Sequence, residues 1–239
     1  MQLISEVKLR ELPYRVQYLR DFIEFTSEDA AALHAARNII SPLVPYVVDT
    51  VYEKLLSFSV TAKAFVPRQT GYMGLVPRGL NDLNKNHPQI KFRKDFLARW
   101  LIKLVTLDYD KPASWEYLDK VGIMHTGQVG FSHRESKPSL RVELIHCQMM
   151  LGFVEDLIVQ AILKDTTELD EKTRITAMRA FSKVIWIQGD LFSRHYVSEE
   201  RVAPGNIVVS RNHAYGMAAG LVGLGVFAHY VFMLSNRRW

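Results

Sequence analysis

Cysteine is almost missing from this chain: Cys147 is the single one in 239 residues. No disulfide can close within the chain and no cysteine-based zinc site can be built, which suits a reducing compartment. Met1 to Arg10 alternates in charge and has no apolar core, so it is not a secretory signal. There is no long Lys/Arg run with interleaved aromatics, which argues against nucleic acid as a partner, although the net charge is +5 and the pI about 9.2. A mildly basic surface facing anionic lipid fits the same balance. No Ser-His-Asp order, phosphate-cradling glycine loop, HExxH pair or carboxylate cluster stands out, so no hydrolase or nucleotide motif is present. Hydrophobic residues at 48% and charged residues at 23% exclude wholesale disorder and allow one large domain.

Period-2 strand patterns are also missing, and what remains reads as helix after helix. Pro13 to Phe22 is a short amphipathic segment. Thr26 to Ile39 opens on Thr-Ser-Glu-Asp, a capping box with Asp in the usual Glu/Gln place. Pro42 and Pro45 suit the first turn of a next helix, to about Phe58. Residues 66–87, with Pro67, Gly71, Gly74, Pro77 and Gly79, read as a long covering loop. Pro88 opens a helix with Phe92, Phe96 and Trp100 at i, i+4 and i+8, fading near Asp108. Ser139 to Lys164 is apolar on one side through Leu140, Leu144, Cys147, Leu151, Val154 and Ile158. Cys147 in that row reads as an inert small hydrophobe. Asp170 to Tyr196 is the last long helix, with Glu168, Asp170 and Glu171 at the positive end of its dipole.

From Ala214 to Leu234 there is no Asp, Glu, Lys or Arg, a length close to the roughly 20 residues that cross a bilayer core. Arg211 precedes it, and Arg237, Arg238 and Trp239 follow, as the water–lipid interface favours. Gly216 and Gly220 form a small-xxx-small pair suited to close helix approach. The expected organisation is a helical domain at 1–197, a linker at 198–212 with Pro204-Gly205, a membrane span at 213–235 and a basic tail at 236–239. Such a tail anchor inserts after synthesis and leaves the preceding domain facing the cytosol. His229 lies near one end of the span, where a neutral imidazole can face the interface.

The residue with the most chemistry is His125. It closes a segment opened by Pro112 and Ser114 and stopped by Gly127, and it shares an apolar stripe with Leu118 and Val121. An imidazole in that setting is either a hydrogen-bonded core group or an axial ligand to haem iron. His133 in a loop and His146 on the following helix are alternative imidazoles and read as structural or surface groups. His34 and His195 have no evident partner.

Several segments, in order and spacing, carry a resemblance to protoglobins, the single-domain relatives of globin-coupled sensors. Phe25-Thr26-Ser27-Glu28-Asp29 is similar to that family's A-helix entry. Val48-Asp49-Thr50-Val51-Tyr52-Glu53 is similar to its B helix with the distal tyrosine. Phe92 to Asp110 resembles its E helix, and Tyr117 to His125 its F helix with the proximal histidine. The resemblance covers about Arg20 to Tyr196. It implies an all-α, globin-like helical sandwich with an extra N-terminal helix, built around one b-type haem with His125 on the iron.

On that resemblance Tyr52 faces the opposite side of the haem and can donate a hydrogen bond to bound O₂. Phe96 and Leu97 are alternative residues for the apolar distal wall, and Val121 belongs to the haem contacts. Val51 stands where relatives carry a bulky aromatic, which implies a roomier pocket. Thr126 replaces the second histidine some relatives carry after the proximal one. The implied function is reversible binding of O₂, CO or NO by a membrane-anchored gas sensor or ligand-handling globin, dimerising through its two long helices. A haem-dependent NO dioxygenase, peroxidase-like or nitrite-reducing enzyme is the alternative. The sequence shows no reductase module and no distal histidine–arginine pair, which weighs against a dedicated enzyme. A haem-free, tail-anchored helical adaptor, with His125 a core residue, is the third reading.

Overall fold

Apolar rows at helical spacing leave this chain one way to bury itself, helix against helix, and the computed structural model is all-α. The structure describes residues 1–69, 71–128, 141–164 and 169–197. Ser139, Leu140, His133, Glu168, the linker, the membrane span and the basic tail lie outside them. Among the described residues the helices are α1 (Leu12–Phe22), α2 (Ser27–Ala35), α3 (Arg37–Leu56), α4 (Ser59–Ala62), α5 (Pro88–Leu104), α6 (Pro112–His125), α7 (Leu144–Lys164) and α8 (Glu171–Ser193). The only extended pairing there is an isolated bridge between Thr126 and Arg141.

The extra N-terminal helix is α1. The capping box forms as the sequence implies. Thr26 N donates to the Asp29 carboxylate at 2.8 Å and Asp29 N donates to Thr26 Oγ1 at 3.4 Å. Lys183 of α8 reaches the same carboxylate at 2.8 Å and so ties α2 to α8.

Two helix boundaries differ from the sequence reading: α7 begins at Leu144 rather than Ser139, with Arg141 in the isolated bridge, and the break between α2 and α3 is displaced. The break falls at Ala36, and α3 runs unbroken through Pro42 and Pro45. Each proline lacks an N–H for the carbonyl four residues back. Both prolines are exposed, as is Asn38, so water can satisfy what the helix loses there. The buried row Ile40, Val44, Val47, Val48 and Val51 needs a continuous rod, and that burial decides the outcome. At α6 the cap is Lys111 with Pro112 at the first position. Ser114 is buried and donates its hydroxyl to Asp108 O at 2.6 Å. Gly127, at φ 88°, ends α6 in the left-handed conformation that glycine permits. The long covering loop carries a 3₁₀ turn at Leu80–Asp82.

The helices form two walls with α7 joining them. α3 packs on α5, α6 packs on α8, and α7 lies against both α3 and α8. α7 is long and apolar enough to cross a membrane. Its row Cys147, Leu151, Val154, Ile158 and Ile162 is nonetheless buried in the core, so in this domain it is a packing helix. One buried amide links three helices. Trp100 Nε1 of α5 donates to Gln188 Oε1 at 3.2 Å, and Gln188 Nε2 of α8 donates to Leu118 O of α6 at 3.0 Å. Gly122 lets α6 lie directly on the α8 backbone, because a Cβ there would stand 2.5 Å from Leu191 O.

Candidate functional site: a cavity between Tyr52 and His125

A cavity of about 690 Å³ opens between the two walls. Tyr52 of α3, Phe96 and Leu97 of α5, and Val121, Met124 and His125 of α6 all line it. Sequence reasoning left Phe96 and Leu97 as alternatives, and both face the cavity. Met150 and Phe192 extend the apolar wall from α7 and α8. Val51 is not among the residues that line it. Neighbouring helix positions diverge by about 100°, so with Tyr52 on the cavity, Val51 turns into the core.

His125 is held from several sides. Its Nδ1 lies 2.8 Å from Val121 O. A carbonyl only accepts, so Nδ1 carries a proton, and in the neutral ring this tautomer puts the lone pair on Nε2. The ring meets Phe192 edge-on at 5.0 Å between centroids. The backbone beneath is pinned too. Val142 N donates to His125 O at 2.8 Å, and the Tyr196 hydroxyl donates to Val142 O at 2.6 Å. Metal-binding imidazoles are oriented this way, with the second ring N–H given to a carbonyl.

The Tyr52 hydroxyl makes no hydrogen bond among the described residues, and its ring packs on Phe65 at 5.5 Å. Burial pushes its pKa well above the ordinary phenol range, against the opposing charge of Arg93, so it remains a donor. A buried donor left to face a cavity is a group that a ligand can satisfy.

Arg93 is the residue the sequence reading passed over. It is buried and lines the same cavity as Tyr52, and its charge acts on the Tyr52 phenol. The signal was legible. Arg93 falls in the buried row Ile90, Trp100, Leu101 and Leu104 of α5, where a charged residue stands out. His146, half-buried on α7, also lines the cavity. Trp100 is core, as its spacing implied, and reaches the cavity as well. Exposed cations Lys63, Arg68, Arg99 and Arg141 border the same space.

The other histidines acquire partners. His34 Nε2 lies 2.8 Å from Leu107 O. His195 Nε2 and Arg194 Nη1 each lie 2.8 Å from the Asp119 carboxylate, fastening α6 to the end of α8. Burial alone would raise the Asp119 pKa. The His195 hydrogen bond and the Arg194 charge outweigh it and hold the carboxyl below its usual range. Burial also pushes the Cys147 thiol up to about 11, so it stays protonated and unreactive.

This helical sandwich, with one cavity wall bearing a histidine and the other a tyrosine, has the architecture of a globin. The family model described as Protoglobin matches residues 12–201. The chain belongs to the protoglobin family. Among solved structures it is similar to the globin domain of the Geobacter sulfurreducens globin-coupled sensor. The two share 18% identity over 75% of this chain and 96% of that one, with a TM-score of 0.54. At that identity the likeness shows the globin fold. No curated protein matches the chain.

Proposed function

We propose that this protein binds a b-type haem through His125 and takes O₂, CO or NO on the Tyr52 side, as a gas sensor or ligand-handling globin held at a membrane. The observation that carries the reading is the His125 ring, oriented by its Nδ1–H on Val121 O, on the wall of a cavity shared with Tyr52. The cavity suits a flat, largely apolar group bearing carboxylates. Its walls are Phe96, Leu97, Val121, Met124, Met150 and Phe192, and exposed cations border it. Bound haem supplies an iron with a coordination position open to a diatomic gas. Tyr52 supplies a phenol O–H to a polarised ligand, and the surrounding apolar side chains keep water away.

The test is spectroscopic. The wild type is expected to show ferric, ferrous and ferrous–CO Soret bands. Tyr52→Phe is expected to speed O₂ dissociation by about 10- to 100-fold, the worth of one hydrogen bond to a charge-bearing group. CO, which carries little charge, should change far less. A colourless, folded chain that rejects haemin would support the adaptor reading, and an unchanged O₂ off-rate would remove Tyr52 from its role.

Self-association and membrane attachment belong to the same proposal. Ile145, Met149 and Leu163 on α7, and Ile175 and Trp186 on α8, are large, apolar and exposed. These two helices pack side by side, so their outer faces make a broad apolar surface fit for a second copy. Ala214–Leu234, by composition, would attach the domain to a membrane from the cytosolic side. Residues 1–197 are expected to sediment as a dimer, Trp186→Glu as a monomer, and only the full chain to float with membranes. A monomeric wild-type domain, or a full chain that stays soluble, overturns the corresponding part.

A further inference from the structure

Between Glu53 and Asp82 the chain has no acidic residue, while Lys54, Lys63, Arg68 and Arg78 supply cations. The same stretch puts large apolar side chains on the surface at Phe58, Val60, Met73, Leu75 and Leu80. Met73 and Leu75 are the barest of these, at 91% and 79% exposure. Their loop is held in place from behind. Gly71 turns it at φ 82°, Arg68 Nη1 donates to Gly74 O at 2.8 Å and to Tyr72 O at 3.3 Å, and the Tyr72 ring packs on Phe92 at 5.4 Å. Lys54 Nζ lies 5.7 Å from the exposed Phe58 ring. Val60, Lys63 and Arg68 also line the cavity, so this face borders its mouth. The carboxylates nearby are engaged. Glu143, the only acidic residue lining the cavity among the described residues, accepts from Arg141 at 3.5 Å, Glu53 pairs with Lys85, and Asp82 accepts from Arg78 N at 2.8 Å.

Apolar groups exposed to water ordinarily sit among charges of both signs. Here they sit among cations, the composition that suits the boundary between anionic headgroups and acyl chains. We propose that this face rests on an anionic lipid surface, with Met73 and Leu75 entering the headgroup layer, Lys54, Lys63 and Arg78 meeting lipid phosphates, and Arg68 holding the loop. The inference rests on the proposed membrane attachment and adds which face of the domain the bilayer meets. So few side chains make a weak contact for a free domain. A tether to the same bilayer raises the effective lipid concentration and lets a weak contact set the orientation. The outer stripe of α7 is the other broad apolar surface, and it differs in charge. Asp156 is exposed on that stripe with Ile145, Met149 and Gly152, and an anionic bilayer would repel it.

The experiment places a nitroxide label at Met73→Cys in the full chain. The chain is reconstituted in vesicles of mixed phosphatidylcholine and phosphatidylserine, and in phosphatidylcholine alone. Cys147 is buried, so the label goes to the introduced thiol. Phe22→Cys is the reference, since Phe22 is exposed on α1, which packs on the α6–α8 wall. On the anionic vesicles the Met73 label is expected to lose most of its collisions with a water-soluble nickel chelate, while the Phe22 label keeps them. Leu75→Cys is expected to match Met73→Cys, which covers a label that disturbs the loop at one position. Lys54→Gln with Arg78→Gln is expected to lower the docked-to-free ratio by about 25-fold, about fivefold for each cation, and to expose the Met73 label again. Neither residue lines the cavity, so that variant tests the surface alone. Met73 and Leu75 labels as accessible as Phe22 on anionic vesicles overturn the proposal, and so does equal protection on neutral vesicles or in the double variant. A full chain that floats with neither vesicle overturns the membrane reading and this inference with it. One that floats with both loop labels exposed overturns this inference alone.

Discussion

His125→Ala is expected to lose the histidine-ligated Soret spectrum while keeping the wild-type helical circular dichroism. The two readouts separate because the imidazole and the backbone at this position do different jobs. The backbone is held by Val142 N on His125 O and by Tyr196 on Val142 O, and neither bond uses the ring. The ring contributes the oriented Nε2 lone pair and the edge contact with Phe192. Loss of a residue that merely orients a metal ligand costs about 10- to 100-fold in affinity, so loss of the ligand itself should weaken haem retention by more than about 100-fold. His125→Gly with added imidazole is expected to restore the band, since the smaller side chain leaves room for the free base. A mutant with an unaltered ferrous–CO spectrum would move the ligand elsewhere. His146 would then be the next substitution, because it is another imidazole on the cavity wall.

What could be read from the sequence was whatever is local or periodic. The α2 capping box, the Pro112 start and Gly127 stop of α6, and the apolar rows of α5, α7 and α8 depend on residues a few positions apart. Tyr52, Val121 and His125 could be chosen because helical spacing and family motifs point to them. Failures came where tertiary burial competed with a local rule. Pro42 reads as a helix start, yet the buried row of α3 carries the helix through it, with both prolines on the wet side. His146 and Phe192 reach the cavity only through the packing of α7 and α8, a long-range fact that no spacing encodes. Arg93 was legible as a charge in an apolar register, but the identity of the group opposite it depended on Phe65 and Tyr52 arriving from another helix and a loop.

Two glycines on packed helices are expected to respond to the same substitution with opposite signs. At Gly122 an added Cβ meets Leu191 O at 2.5 Å, Leu191 C at 3.1 Å and His195 Cδ2 at 3.3 Å. The first two are α8 backbone atoms and cannot swing aside, so α6 itself must move. That displacement strains the Gln188 bridge between Trp100 and Leu118 and the hold of Asp119 on Arg194 and His195. Gly122→Ala is expected to destabilise the domain by about 1–3 kcal/mol despite the gain in helix propensity. In thermal melts this is roughly 3–10 °C. At Gly152 on exposed α7 nothing lies within 4 Å of the added carbon. Gly152→Ala should therefore express the propensity gain alone, about 0.5–1 kcal/mol of added stability. It is best measured in the Trp186→Glu background, because Gly152 shares the outward stripe of Ile145 and Met149 proposed for self-association. His125 stands three residues beyond Gly122 on the same helix, so the Gly122 variant should also release haem faster. If it melts like wild type, α6 does not rest on the α8 backbone at this point, and the seating of His125 must come from the Val142 and Phe192 contacts instead.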